Sequence, residues 1–402
     1  MKRCSPIPFL GMRALRAIRS VLAGLLLAGL LSAYLTPSTD AERPGDGLDT
    51  CAPDVQFLGF SEALNKTAFA GFSVAELSGL AFDQHTGRFL AIADRAGPVQ
   101  THYFTLDVPI DSIGLGAPSI LNVTVLRDPA GTPYNGFSFD GEGIAMTDQK
   151  QLLVASEGGS GGAAGAQQPE IRRFSPDGKE VVALEVPARF LVGTNNLSFE
   201  SLALSPSGQS LFTANERPLP AVGDAPADGQ TADLENRIRI LRYQRHGQTY
   251  SPAEQFYYLT DPDRAAGDVG VVELIALSDT DLLVLERGFV AGEGNTVRVY
   301  RVSLAGAQDV SDEPTLANPD LIPVEKTLVF DLADCPDAGA TIPPGAVQPN
   351  ALLDNFEAMA LGPRLPGGRR ALLMVSDDNE GANQITRFVA VALPVVSLVG
   401  RE

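Results

Sequence analysis

One pattern occurs five times in this chain of 402 residues and limits the possible folds more than any other feature. Each copy begins with an acidic residue, continues through two short apolar segments separated by a turn, and ends with a second acidic residue. The leading acids are Glu76, Glu142, Glu200, Glu273 and Glu357. Since each copy has the form of a β-hairpin with buried strands, the repetition predicts one all-β domain built from five similar units.

The second acid of each copy follows the second apolar segment. These trailing acids are Asp94, Glu157, Glu216, Glu286 and Asp377. The leading acids are 58 to 84 residues apart, whereas the hairpins hardly vary, so the loops account for the difference in length. A hairpin places the start of one strand beside the end of its partner, and we therefore expect both acids of a unit at the same end.

The strand count favours a closed ring of units. Further strand-like segments follow each hairpin and give four strands per unit, but after the fifth hairpin only residues 384–393 remain. Residues 55–60, ahead of the first unit, can supply the missing strand. We therefore predict a β-propeller of five four-stranded blades closed by an N-terminal strand. A sixth, divergent blade would need a leftover segment that we do not find, and a β-solenoid would need shorter, more regular repeats.

The beginning of the chain indicates export. Residues 1–35 contain five basic residues and no acidic one, and they end in an apolar run over 21–35 that is short for a membrane span of ~20 residues. We predict a signal peptide over 1–35, with an uncleaved N-terminal anchor as the alternative. A linker over 36–54, the propeller domain over 55–395 and a C-terminal tail over 396–402 follow. The expected location is secreted or periplasmic.

Charge limits the partners of this protein. The net charge of −19 for the whole chain becomes −24 once the five positive charges of residues 1–35 are removed. Such a body repels nucleic acids and anionic membrane surfaces and attracts divalent cations. We expect no nucleic-acid partner, and contact with a membrane only through an uncleaved anchor.

Two cysteines remain outside the predicted signal. Cys4 lies within it, which leaves Cys51 and Cys335 in the exported body. An even pair in an oxidising compartment predicts one disulfide, which would tie the closing strand into the ring. The alternative is two unrelated thiols.

Five stretches of the sequence together resemble a known family. They are ELSGLAFDQHTGRFLAIADR, FDGEGIAM with LLVASEGG, SFESLALSPSGQSLFTANERPL, VELIALSDTDLLVLERGF with NTVRVYRVSL, and NFEAMALGPRLPGGRRALLMVSDDN. They resemble the bacterial phytase-like family described as esterase-like activity of phytase, over roughly residues 55–395. The resemblance implies a propeller that hydrolyses ester or phosphoester bonds of small molecules.

The hairpin geometry would bring ten carboxylates to one end of the propeller axis, which we call the mouth. They cannot all stay ionised there unless positive charge compensates them. Arg95, Arg217 and Arg287 directly follow three trailing acids and could also clamp a phosphate. A divalent cation, first of all Ca²⁺ with its six to eight oxygen ligands, could hold the rest. We therefore take all ten acids as candidate metal ligands, and the three arginines with Glu142 and Glu200 as candidate catalytic residues.

Two other interpretations stay open. A glutamate at the start of every inner strand could accept backbone N–H groups and have only a structural role. The mouth could also bind a ligand or partner protein without catalysis. The chain has no G-x-S-x-G or H-E-x-x-H motif, and we expect its three histidines, His85, His102 and His246, at the surface. The sequence thus leaves both a metal-assisted phosphoesterase and a binding module.

Overall fold

The computed structural model describes residues 50–94, 97–158, 167–192, 198–219, 224, 236–261 and 269–394. The predicted signal or anchor over 1–35, the linker up to residue 49 and the tail over 396–402 lie outside the described residues, and so does Arg95. Within the described part of the chain, no helix is long and apolar enough to cross a membrane.

Five antiparallel blades confirm the predicted all-β propeller. Ahead of the first blade lie β1 (Thr50–Ala52), β2 (Val55–Ser61) and a small hairpin of β3 (Thr67–Phe69) and β4 (Phe72–Val74). The first blade contains β5 (Leu77–Asp83), β6 (Arg88–Ala93), β7 (His102–Asp107) and β8 (Ser119–Val125). The second contains β9 (Asp140–Met146), β10 (Leu152–Gly158), β11 (Glu170–Phe174) and β12 (Glu180–Ala183).

The remaining blades follow in chain order. The third contains β13 (Ala203–Leu204), β14 (Ser210–Ala214), β15 (Arg237–His246) and β16 (Thr249–Leu259). The fourth contains β17 (Val269–Ala276), β18 (Asp281–Val290), β19 (Gly294–Ser303) and β20 (Lys326–Asp331). The fifth contains β21 (Asn355–Leu365), β22 (Arg369–Asp377) and β23 (Phe388–Pro394), with its fourth strand supplied by β2.

The N-terminal strand closes the ring as predicted. Strand β2 pairs antiparallel with β23, from Gln56 opposite Ala392 to Ser61 opposite Phe388. Strand β1 then pairs with β2 and adds a fifth strand to this sheet, within the segment predicted as linker. The closing strand removes the open edge that the three strands of the fifth blade would otherwise leave.

The innermost strands of neighbouring blades touch one another around the ring, in the order β5, β9, β13, β17, β21 and back to β5. This contact requires small residues at the closest points. A Cβ atom on Gly79 of β5 would lie 2.2 Å from the backbone oxygen of Glu142 in β9. Glycine at this position therefore allows the two inner strands to approach each other.

Each interface between neighbouring blades has its own buried apolar cluster. Between the first and fifth blades, for example, Phe89 of β6 and Leu373 of β22 belong to one cluster. Because each blade is covered on both faces, its central strands are apolar on both faces. This explains the nearly continuous apolar segments of the hairpins.

One surface prediction is wrong. His102, expected at the surface, is fully buried in β7, with its ring 4.3 Å from the ring of Phe72 and 4.8 Å from that of Phe104, measured between centroids. Phe72 belongs to the small β3–β4 hairpin, which the sequence pattern did not reveal. This hairpin packs over the start of β7 and buries the imidazole.

A disulfide joins Cys51 to Cys335, with their Cα atoms 4.0 Å apart. Cys51 lies in β1, and Cys335 follows a short 3₁₀ helix, Leu332–Asp334, after the last strand of the fourth blade. Both residues are buried. The bond therefore ties the closing sheet to the neighbouring blade.

Loss of this disulfide should destabilise the ring. Since a disulfide typically contributes about 2–4 kcal/mol, the Cys51→Ser/Cys335→Ser variant should lose about that much unfolding free energy. Chemical denaturation followed by circular dichroism, with and without reductant, measures the loss. The double-serine variant is the control, since reductant should not affect it. Titratable thiols at Cys51 and Cys335 in unfolded, unreduced protein would contradict the bond.

Candidate active site

A cavity of about 680 Å³ is lined by residues from all five blades. Seven of the ten predicted acids line it, together with two of the predicted arginines. They are Asp94, Glu142, Glu157, Glu200, Glu216, Glu357, Asp377, Arg217 and Arg287. The structure thus brings most of the sequence-predicted site residues together.

The hairpin ladders explain this convergence. In the fifth blade Asn355, two residues before Glu357, pairs with Asp377 at the end of β22. In the second blade Gly141, next to Glu142, pairs with Ser156, next to Glu157. The start of each inner strand therefore lies beside the end of its partner, as the hairpin pattern predicted.

Three carboxylates from the first two blades form the tightest group. Asp94, Asp140 and Glu142 each offer an oxygen atom, and these oxygens lie within 4.8 Å of one another. The sequence analysis did not single out Asp140. It is the first residue of β9 and lies two positions before Glu142, and both carboxylates belong to this group. This spacing was the available signal.

Burial and mutual repulsion raise the pKa values of this group. The pKa of Asp94 lies well above its usual value because of burial first, and then because of Asp140, whose carboxyl group also shares a hydrogen bond with it. Burial, followed by repulsion from Asp94 and Glu200, likewise raises the pKa of Glu142. Without a cation, burial and mutual repulsion therefore favour the protonated forms of these carboxyl groups.

A second carboxyl pair lies beside the first group. Burial, with repulsion from Asp140 and Glu216, raises the pKa of Glu157 to about 8, while a hydrogen bond with Glu200 acts in the opposite direction. The pKa of Glu200 is also raised, by burial and then by Glu157. Among the described residues, no donor bonds to the buried Oε2 atom of Glu157. A proton shared with Glu200 or a bound cation would satisfy this oxygen.

Two arginines, one from the third blade and one from the fourth, place positive charge in the cavity. Nη2 of Arg287 lies 2.8 Å from Oε1 of Glu357 and 3.4 Å from Oε1 of Glu216. Nη2 of Arg217 lies 3.3 Å from the same oxygen of Glu216. The side chains of both arginines are 12–14% exposed, so a ligand can still reach them. The cavity thus combines a carboxylate cluster with two guanidinium groups.

Glu273 lies outside the cavity lining and has a structural environment. Its side chain is buried, and Oε1 accepts a hydrogen bond of 2.9 Å from the N–H of Leu274. Burial raises its pKa, but the backbone amides of Leu80, Leu202 and Met359, from three other blades, act to lower it. The bond to Leu274 and the nearby amides of three other inner strands support the structural interpretation for this glutamate, although its Oε2 has no hydrogen-bond partner among the described residues.

Glu286 also lies outside the cavity lining. It accepts hydrogen bonds of 2.6 Å from the hydroxyl of Tyr258 and from Nζ of Lys326. Strand β18 runs without interruption from Asp281 to Val290, so neighbouring side chains point to opposite faces. Arg287 consequently faces the cavity and Glu286 faces away from it.

The remaining predicted acid, Glu76, is half-buried beside the cavity rather than in its lining. Its backbone is left-handed, with φ of 54°. It lies near enough to Asp377 to raise the pKa of that carboxyl, after burial and repulsion from Glu357. Asn355 is a further cavity residue that the sequence pattern did not reveal, and its Nδ2 donates to Oε1 of Glu357 over 2.9 Å.

Residues 73–380 match the family described as "Phytase-like: Esterase-like activity of phytase". No curated protein matches this chain. Solved structures similar in fold include the tail fibre of Staphylococcus aureus phage P68, at 10% identity over 85% of this chain and 54% of that one, with a TM-score of 0.38. This chain thus spans about half the length of the tail fibre.

Two further solved structures have similar scores. A gluconolactonase from Xanthomonas campestris aligns at 10% identity over 82% of this chain and 88% of its own, with a TM-score of 0.34. A protein of unknown function from Dyadobacter fermentans aligns at 12% identity over 85% and 100%, with a TM-score of 0.37. Similarities at this level carry no information about activity.

The raised pKa of Glu157 predicts a pH dependence of stability in chelator-treated protein. A carboxyl whose pKa rises from 4.5 unfolded to about 8 folded contributes its full stability below pH 4.5. This contribution is lost as the pH rises towards 8. We expect the midpoint of denaturation to fall over this range and Glu157→Gln to flatten the fall. An unchanged slope in the variant would show that Glu157 does not hold the proton.

Glu273 and Glu200 should respond in opposite ways to substitution. Glu273→Ala should cost about 1–3 kcal/mol of unfolding free energy because it leaves the backbone N–H of Leu274 without its acceptor. Glu200→Gln should preserve or raise the stability of chelator-treated protein at pH 8, because it removes a repelling carboxyl from the cluster. Urea denaturation of both variants tests this contrast, and a neutral Glu273→Ala would rule out the structural role.

Proposed function

Because this chain belongs to the phytase-like family, described as having esterase-like activity of phytase, we propose that its cavity hydrolyses phosphoesters of small molecules with the help of a divalent cation. The observation that carries the proposal is the combination of buried carboxylates with two arginines in one cavity of about 680 Å³. Carboxylates suit a cation, and guanidinium groups suit the oxygens of a phosphate.

The donor set fits a hard cation such as Ca²⁺. Asp94, Asp140 and Glu142 offer only oxygen ligands, and these oxygens are close enough to bind one ion. The buried Oε2 of Glu157, which lacks a donor among the described residues, supports the same conclusion. A bound cation would supply positive charge that polarises the phosphoryl group.

The arginines bind and orient the phosphate in this proposal. Arg287 and Arg217 both approach the carboxylate of Glu216, and a phosphate can replace these contacts with bonds to its own oxygens. Since both side chains are largely shielded from water, their attraction for charge that develops on the phosphoryl oxygens is strengthened.

The pair Glu157 and Glu200 holds a proton near neutral pH, because the pKa of Glu157 is about 8. During hydrolysis a water oxygen bonds to phosphorus while the bond between phosphorus and the alcohol oxygen breaks. The water gives one proton to a carboxylate of the cavity, and the protonated pair gives one to the departing alcohol oxygen. The products are the alcohol and inorganic phosphate.

We place this activity outside the cytoplasm. The basic and apolar pattern of residues 1–35 supports export, and the acidic body that follows attracts divalent cations. The substrate in this proposal is a small phosphoester or ester, and no nucleic acid takes part.

Arg287→Ala should lower kcat/KM for phosphoester hydrolysis by about 10²-fold or more without unfolding the protein. Arg301→Ala is the matched control: it removes an arginine of the same blade that pairs with Asp281 over 3.0 Å and does not line the cavity. Phosphate release from a panel of phosphoesters, with circular dichroism of each variant, measures the effect. Equal activity of the two variants would contradict the role of Arg287.

Chelation tests the cation separately. EGTA treatment should lower both activity and the midpoint of thermal unfolding, and Ca²⁺ should restore both. Glu142→Gln should weaken Ca²⁺ binding measured by calorimetry. If chelation changes neither property, the cation has no role. If no phosphoester or carboxylic ester is cleaved with any metal, a propeller that binds a ligand or partner without catalysis replaces this proposal.

A further inference from the structure

One part of the cavity lining is apolar. Phe289, Ala291, Ala346 and Val347 line the same cavity as the acids and arginines, and we call these four residues the apolar wall. Phe289 is 47% exposed and Val347 is 54% exposed. Neither residue belongs to a buried cluster between blades. Their apolar surface is therefore available to a molecule in the cavity.

The two segments that carry the apolar wall are joined by a pair of amides. Phe289 lies opposite Asn295 in the ladder between β18 and β19. The backbone N–H of Asn295 donates to Oε1 of Gln348 over 2.8 Å, and Nε2 of Gln348 donates to Oδ1 of Asn295 over 2.6 Å. Gln348 follows Val347 directly. These bonds hold the segments of Phe289 and Val347 in fixed positions relative to each other.

Close backbone contact strengthens this arrangement. Gly294 has φ of 104°, and a Cβ atom at this position would lie 2.4 Å from the backbone oxygen of Val347. Any other residue would separate the two segments or strain the turn. The apolar wall is therefore built by packing within the protein and is ready before a ligand binds.

The position of Phe289 relative to Arg287 indicates which part of a ligand the apolar wall can contact. The two residues are two positions apart in β18, so their side chains leave the same face of the strand. Two residues of a strand span roughly 6–7 Å. A phosphate bound by Arg287 would thus have its organic substituent within reach of the Phe289 ring.

Other exposed apolar residues lack this setting. Leu328 is 48% exposed, nearly the same fraction as Phe289, but it lies on β20, the outer strand of the same blade, and does not line the cavity. Single apolar residues of this kind are ordinary on protein surfaces. Phe289 differs because it shares a concave site with groups that suit a phosphate.

We propose that the apolar wall binds the organic part of the substrate, and that this part is an aromatic or bulky apolar alcohol rather than a polyhydroxylated one. The inference rests on the proposed phosphoester hydrolysis and names its substrate class. A ring packed on Phe289 and Val347 removes apolar surface from water on both partners, whereas a polyol would leave hydroxyls against these two side chains, which cannot hydrogen-bond, and the adjacent amides of Asn295 and Gln348 already bond to each other.

Paired substrates test this specificity. Phenyl phosphate and 2-naphthyl phosphate both release an aromatic alcohol but differ in apolar area. Wild-type protein should prefer the naphthyl ester in kcat/KM by about tenfold. Phe289→Ser should reduce this preference to near unity, Phe289→Leu should restore part of it, and the control Leu328→Ser should keep it. An unchanged preference in Phe289→Ser overturns the inference.

A binding experiment separates this inference from the proposed function. If no phosphoester is cleaved, calorimetry with phenylphosphonate and methylphosphonate in the presence of Ca²⁺ still compares an aromatic with a small substituent. Tighter binding of phenylphosphonate, lost in Phe289→Ser, would support the apolar wall although hydrolysis had failed. Equal binding of the two, or self-association that disappears in Phe289→Ser, would assign this surface to something other than the substrate.

Discussion

The pairing of β2 with β23 is the contact on which the mouth depends. It closes a ring of five blades, and only a closed ring forces the inner strands to meet and their carboxylates to share one cavity. Buried like charges oppose this arrangement. Two features stabilise the ring against this repulsion. One is the set of apolar clusters at the five blade interfaces, and the other is the disulfide between the closing sheet and the fourth blade.

The leading glutamate of the repeated hairpin has two different environments in this ring. Glu142, Glu200 and Glu357 line the cavity, whereas Glu273 lies outside the lining and accepts a hydrogen bond from the backbone N–H of Leu274. A register shift lies beside the leading glutamate in β9, β17 and β21 alike, so it does not account for the difference. The leading acid thus has a structural contact in one blade and lines the cavity in three others, while Glu76 lies beside the cavity.

The sequence was sufficient to predict the blades, their closure and the shared end of the hairpin acids, because these follow from strand patterns and the geometry of a hairpin. It did not reveal which face of β18 Glu286 would occupy. Glu286 and Arg287 are neighbours on opposite faces, so a change of one residue in the strand's orientation would exchange their positions. The amide pair of Asn295 and Gln348 joins segments 53 positions apart, and no local pattern encodes such a contact. The sequence therefore predicted the carboxylate cluster better than the apolar wall.

Closure by β2 also determines when the ring can be completed. A chain made from its N-terminus presents β2 first, but its partner β23 is nearly the last described segment to emerge. Until then the edge of β2 that pairs with β23 is open to wrong pairing with other chains. Closure of the ring must therefore wait until residues 388–394 have been made, and β2 needs protection from such pairing for most of synthesis.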